Sequence, residues 1–109
     1  MKKTIALIFL MFATNSYAGS ASSGTLSTVH FMSNGVVIAS TSGTRSDVPP
    51  CAVNQSSRFS IDGTSAGGKV QVSGLLAAYA SGKQVNIIGT GNCSVYGDTE
   101  TISYFYTIN

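Results

Sequence analysis

Few residues in this chain can do chemistry, and their types set narrow limits. There are two cysteines, Cys51 and Cys93, one histidine, His30, and four carboxylates, Asp47, Asp62, Asp98 and Glu100. General acid–base catalysis needs titratable groups brought together, and Asp98 and Glu100 lie close in sequence. They stand in a turn entering a strand, where such residues are more often solvated surface than a catalytic dyad. Spacing places no nucleophile or carboxylate beside His30, and one histidine without a CxxC pair leaves too few ligands for zinc. Gly89-Thr90-Gly91-Asn92-Cys93 precedes no helix, so it is not a phosphate loop. No reaction can be named, and the expectation is a non-enzymatic chain with no cofactor and no metal.

The first 18 residues read as a secretory signal peptide. Lys2 and Lys3 form the basic end, 4–13 the apolar run, and Ser16-Tyr17-Ala18 a small-x-small cleavage site. An apolar run of about ten residues falls short of the roughly 20 that cross a bilayer. The segment therefore directs export without spanning, and no cysteine follows it to carry a lipid anchor. Cleavage after Ala18 leaves a chain that begins at Gly19, in the bacterial periplasm or outside the cell.

That cleavage removes two of the six basic residues. Arg45, Arg58, Lys69 and Lys83 then face Asp47, Asp62, Asp98 and Glu100, four against four, with no net charge. Without a basic cluster there is no footprint for a nucleic-acid backbone or for anionic lipid. A neutral glycan or another protein is the better-matched partner. The 91 residues from Gly19 onward make one domain of marginal core, 19–109, for which a covalent staple helps. In an exported chain Cys51 and Cys93 are expected to pair. Closing a loop of about 40 residues contributes around 4 kcal/mol in the chain-entropy account.

The elements that must position these residues are mostly short strands. Residues 19–24 are small and polar and read as a flexible arm. Two β-rich runs, 26–32 and 36–41, flank Ser33-Asn34-Gly35, a hairpin signal. If Asn34 and Gly35 are the turn, Phe31 pairs with Ile38 and faces the core with Val29, leaving His30 toward solvent. A loop follows over 42–50, ending in Pro49-Pro50. Residues 51–61 read as a third strand, bulged or broken near Asn54 to Ser57, with Arg58 pointing outward. Val72, Leu75, Leu76 and Tyr79 share one face of a helix over 66–81. Thr64 or Ser65 caps its start, Gly82 ends it, and something must pack close to Gly74. Strands over 84–88 and 101–108 close the chain, the last with Ile102, Tyr104 and Tyr106 on one face and Phe105 on the other.

Three strands, one helix and two strands is the order of an OB-fold. The expected class is mainly β with one helix (α+β), a five-stranded OB-like barrel whose helix lies between strands 3 and 4. The competing β-grasp-like sheet follows if 51–61 is loop.

LLAAYASGKQV, GTGNCSVYGD and TISYFYTI resemble a group of small secreted bacterial proteins with a helix ending in ALASGK-type sequence, a G-x-C strand and an aliphatic–aromatic last strand. More distantly, 51–108 resembles the B subunits of pentameric bacterial toxins, of the heat-labile enterotoxin and subtilase cytotoxin kinds. That resemblance implies an OB-fold, one intrachain disulfide, host-glycan binding and rings around an A subunit. In the enterotoxin-like subunits an aromatic soon after a cysteine stacks on a sugar, and here Tyr96 follows Cys93. The chain departs from them in lacking tryptophan and in placing its other cysteine at the third strand.

The candidate binding residues are Tyr96 as the flat apolar platform and Asn92, Asp98 and Glu100 as partners for hydroxyls. A competing reading has Tyr96 covering the barrel end and the polar residues forming a turn. Ala66, Val70, Ala77 and Ala80 offer a second, weakly apolar helix side for a homo-oligomer. The expected function is a secreted, non-enzymatic glycan or protein binder, or alternatively a stand-alone structural or inhibitor protein acting on a protein partner.

Overall fold

The computed structural model describes residues 18–109, so the expected leader lies outside the described residues apart from Ala18. Seven strands and one α-helix run in the order β1 (Ser20–Gly24), β2 (Leu26–Phe31), β3 (Val36–Thr41), β4 (Thr44–Ser46), a 3-10 helix (Pro50–Gln55), β5 (Arg58–Asp62), α1 (Ala66–Ser81), β6 (Gln84–Gly89) and β7 (Glu100–Ile108). They form one sheet ordered β2-β3-β5-β7-β6-β1-β4. Every neighbouring pair is antiparallel except β5 and β7. Only Thr25 separates β1 from β2, although β2 stands at one edge and β1 next to the other edge strand, β4, so the sheet curls into a half-barrel. The described residues are mainly β with one α-helix and one disulfide.

The strand count is seven, not five, because 20–24 and also 44–46, inside the expected loop over 42–50, pair into the sheet. Residues 20–24, expected as a flexible arm, form β1 between β4 and β6, with Ala21 buried. The break after β1 sits against the break after β3. The Ser42 amide donates to the Thr25 carbonyl and its hydroxyl accepts from the Thr25 amide, both at 3.0 Å. A Cβ on Gly24 would stand 2.0 Å from the Gly43 nitrogen, so the two backbones cross at a distance only glycine permits.

The expected third strand is also corrected. Its first half is the 3-10 helix, opened by Pro50 in the first turn, where a missing amide costs nothing, and by the Ala52 amide donating to Pro49. Only Arg58–Asp62 enters the sheet.

In the β2–β3 hairpin the loop has three residues, Ser33-Asn34-Gly35. Met32 donates to Val36 at 2.8 Å and Gly35 takes φ 88°. Phe31 therefore pairs with Val37, and His30 with Ile38, one position away from the expected register. Phe31 is exposed, not buried, and His30 is exposed as expected.

α1 has the expected bounds, with the Ser65 hydroxyl accepting from Gly68 and Gly82 in the left-handed conformation. Its inward face is turned from the expected one: Leu75 and Ala78 are buried and Val72 packs on the core, while Leu76 and Tyr79 are exposed. The first turn lies directly on the end of β5 at Gly68, where a Cβ would fall 1.8 Å from the Asp62 carbonyl oxygen, an approach that only glycine allows.

β7 departs from simple alternation too. Ile88 pairs with Tyr104 and Gly89 with Ile102, leaving Ser103 as an extra residue. Ile102 and Phe105 both reach the core, whereas Tyr104 and Tyr106 stay about half exposed.

Candidate functional site

Cys51 in the 3-10 helix and Cys93 in the β6–β7 loop are joined, with their Cα atoms 6.2 Å apart across 42 positions. The bridge ties that loop, which carries Asn92, Tyr96 and Asp98 of the four expected site residues with Glu100 opening β7 just after it, to the segment before β5.

Their side chains are largely committed to holding the loop. Asn92 Oδ1 accepts from the Thr90 hydroxyl at 3.1 Å and from the Ser94 amide at 3.2 Å. The Thr99 amide donates to the Tyr96 carbonyl, closing a turn over Gly97 and Asp98, with Tyr96 partly buried. Asp98 accepts from Arg58 Nη2 and from the Thr99 hydroxyl, each at 2.9 Å. Glu100 is fully buried and points into the protein, so it is not open to a ligand.

Glu100 instead anchors a closed polar cluster. Oε1 accepts from Arg45 Nη2 at 2.6 Å, and Oε2 accepts from the amides of Gly19 and Gly91, both at 2.9 Å. Arg45 also donates through Nε to the Ser20 carbonyl at 2.9 Å and through Nη1 to the Ser56 carbonyl. Its guanidinium lies 4.4 Å from the centre of the Phe59 ring. The cluster ties β1, β4, β7 and the start of β5 together.

Elsewhere, Asp62 accepts from the Thr64 hydroxyl at 2.6 Å and the Thr64 amide at 3.0 Å, bonds that hold its carboxyl below the ordinary value of 3.8. Among the described residues no group of His, Cys, Asp and Glu converges as a metal ion would require.

A second site, which the sequence reading did not single out, lies between α1 and β7. A groove of about 290 Å³ is lined by Val70, Gln71 and Gly74 from the helix and by residues 104–107 from the strand. Gln71 donates to the Ser103 carbonyl at 2.9 Å, and Asn86 donates to the Tyr106 hydroxyl at 3.0 Å. Phe105 forms the floor, its ring 3.6 Å from where a Cβ on Gly74 would stand. The lining carries no charged side chain. Its sequence signals were the two tyrosines two apart in β7 and a glycine in mid-helix. The bulge at Ser103, which turns the tyrosines outward, had no mark in the residues.

Comparison with protein-family models, curated proteins and solved structures finds no match.

Proposed function

We propose that this chain is an exported, non-enzymatic binding module that takes a neutral glycan in the groove between α1 and β7. The observation that carries this reading is the contrast in side-chain commitment. The carboxylates Asp62, Asp98 and Glu100 are engaged by protein donors, while Tyr104 and Tyr106 present half-exposed rings beside an uncharged lining. A sugar offers an apolar C–H face and hydroxyls, which suit tyrosine rings edged by phenol, amide and hydroxyl groups. The volume is near the lower bound for a small-molecule pocket, which favours one ring over an extended chain. The loop site built on Tyr96, Asn92 and Asp98 ranks second, because its oxygen acceptors already hold the turn.

An OB barrel is the proposed architecture beneath it. Taking β1 with β2 and β3 with β4 as two kinked strands leaves five, with the helix between the third and fourth. The parallel contact then joins the third and fifth. The disulfide suits the oxidising compartment that an export leader implies. Among the described residues no helix is long and apolar enough to cross a membrane.

The test is a neutral-glycan array probed with mature protein and with Tyr104→Ala. Binding that falls at least about tenfold in the variant, with an unchanged melting temperature, is the expected result. A glycan ligand held equally by both proteins would sink the groove, and no glycan bound at all would leave a protein partner as the reading. Self-association is the second reading, favoured by Leu76 and Tyr79 standing exposed on α1 along with Ala66, Val70, Ala77 and Ala80. A monomeric mass by light scattering at micromolar concentration rejects it.

A further inference from the structure

Glu100 is fully buried, and one of its three partners is the backbone nitrogen of Gly19, 81 positions earlier. Gly19 is itself buried, while Ala18 before it is exposed. The Gly19 carbonyl accepts from the Gly89 amide at 2.7 Å, so the residue is held on both sides. No side chain fits there: a Cβ would stand 2.5 Å from both Arg45 Nη2 and Glu100 Oε1, and 2.8 Å from the Asp47 carbonyl oxygen. Gly89 closes the other side of the carboxylate, where a Cβ would stand 2.1 Å from Oε2. The carboxylate is thus boxed in by backbone, with one oxygen facing Arg45 and the other facing Gly19 and Gly91.

We propose that Glu100 is a built receptor for the α-ammonium group that export processing creates at Gly19. The proposal rests on cleavage after Ala18, the small-x-small site of the leader. A leader peptidase adds water across the Ala18–Gly19 amide. The C–N bond breaks, Ala18 leaves as a carboxylate, and the Gly19 nitrogen keeps its electron pair and becomes an ammonium at neutral pH. Before cleavage that nitrogen offers Glu100 one neutral donor. Afterwards it offers a charged one at the same place, and charge-assisted hydrogen bonds are roughly twice as strong. Glu100 then holds two cations on its two oxygens, Arg45 on Oε1 and the chain terminus on Oε2. Processing in this way tightens the attachment of β1 to β6 and β7, and so couples removal of the leader to completion of the barrel.

Intact mass of the exported protein is the first measurement, and an N-terminus anywhere other than Gly19 overturns the proposal. Brief acetylation by an amine-reactive ester is the second. Mature protein has three amines, the terminus, Lys69 and Lys83, and both lysines are exposed. In the native state the lysines should be modified while Gly19 reacts at least about tenfold more slowly than in the denatured chain. Gly19 labelled as fast in the native as in the denatured protein overturns it. A chain made to begin at Ala18 should label freely at its terminus and have a folding equilibrium constant lower by roughly tenfold, a difference that disappears in the Glu100→Gln background. Equal stability of the two chains with Glu100 intact also overturns the proposal. Should Glu100→Gln fail to fold, the labelling comparison still decides. Glycan binding is scored separately, so a failed groove leaves this result untouched.

Discussion

Two arginine–carboxylate pairs, two residues apart on the acidic side, behave as different kinds of structure. Arg45 and Glu100 are sealed, with side chains 10% and 0% exposed, and every nitrogen of the guanidinium has a partner. Arg58 and Asp98 lie at the surface, 20% and 52% exposed, and Arg58 Nε is the buried side-chain polar atom left without a partner among the described residues. The step from Asp98 to Glu100 crosses from turn to strand, and the alternation of β7 turns Glu100 inward. Burial, not charge, decides what each pair does. The sealed pair organises the barrel, and the open one fastens a loop.

Breaking each pair separately gives the largest expected contrast. Glu100→Ala leaves Arg45 buried without its counter-charge, a loss of about 3–5 kcal/mol in unfolding free energy. Asp98→Ala removes a solvent-screened partner and should cost only about 0.2–1 kcal/mol. Denaturant unfolding of both variants measures the gap. Equal losses would mean that the surface pair carries more of the fold than its exposure allows.

The same contrast of sealed and open positions recurs along α1, at a smaller scale. Gly68→Ala drives a methyl group into the Asp62 carbonyl and should destabilise by roughly 1–3 kcal/mol. Gly74→Ala meets only the Phe105 ring, at an ordinary contact distance of 3.6 Å. The better helix propensity of alanine then dominates, and stability should rise by about 0.5–1 kcal/mol. The added methyl also narrows the groove, so ligand affinity should fall as stability rises. Gly67→Ala serves as the control, since nothing lies within 4 Å of its Cβ and the groove is untouched. Thermal melts and glycan titration of the three variants separate helix propensity from site shape.

Where the sequence was legible, the signal was local. Ser65 and Gly82 bound a 16-residue helix by capping chemistry alone, and two cysteines in a chain expected to be exported point to one bridge. What it hid depended on contacts and registers that residue types alone do not mark. The inward face of α1 accompanies a close backbone approach at Gly68, and the outward turn of Tyr104 and Tyr106 follows from one extra residue in β7. The β2–β3 register slipped by one because Asn34-Gly35 suits a three-residue loop as well as a two-residue turn. Glu100 was misplaced for the same reason: a carboxylate in a polar run looks solvated until Arg45, 55 positions away, is brought against it. The candidate site on the β6–β7 loop was therefore legible as a segment, but not in the direction its side chains take.

Asp62 supplies the smallest effect and the finest test of burial against hydrogen bonding. It is exposed, as the open carboxylate Asp98 is, yet the Thr64 hydroxyl and amide hold its pKa below 3.8. A carboxylate with a lowered folded-state pKa adds stability that is present above the unfolded value and lost as pH falls through the folded one. Thr64→Val keeps the branched shape, and with it the methyl group that lies beside Gly35, but removes the hydroxyl donor. At neutral pH the variant should melt slightly below the parent. The difference should shrink as pH drops below 3.8 and vanish once Asp62 is protonated in both states. Carboxyl-carbon NMR should place the Asp62 midpoint below 3.8 in the parent and closer to it in the variant, with part of the lowering retained because the Thr64 amide still donates. A parent midpoint at or above 3.8 would show that the hydrogen bonds do not compete with water at this exposed position.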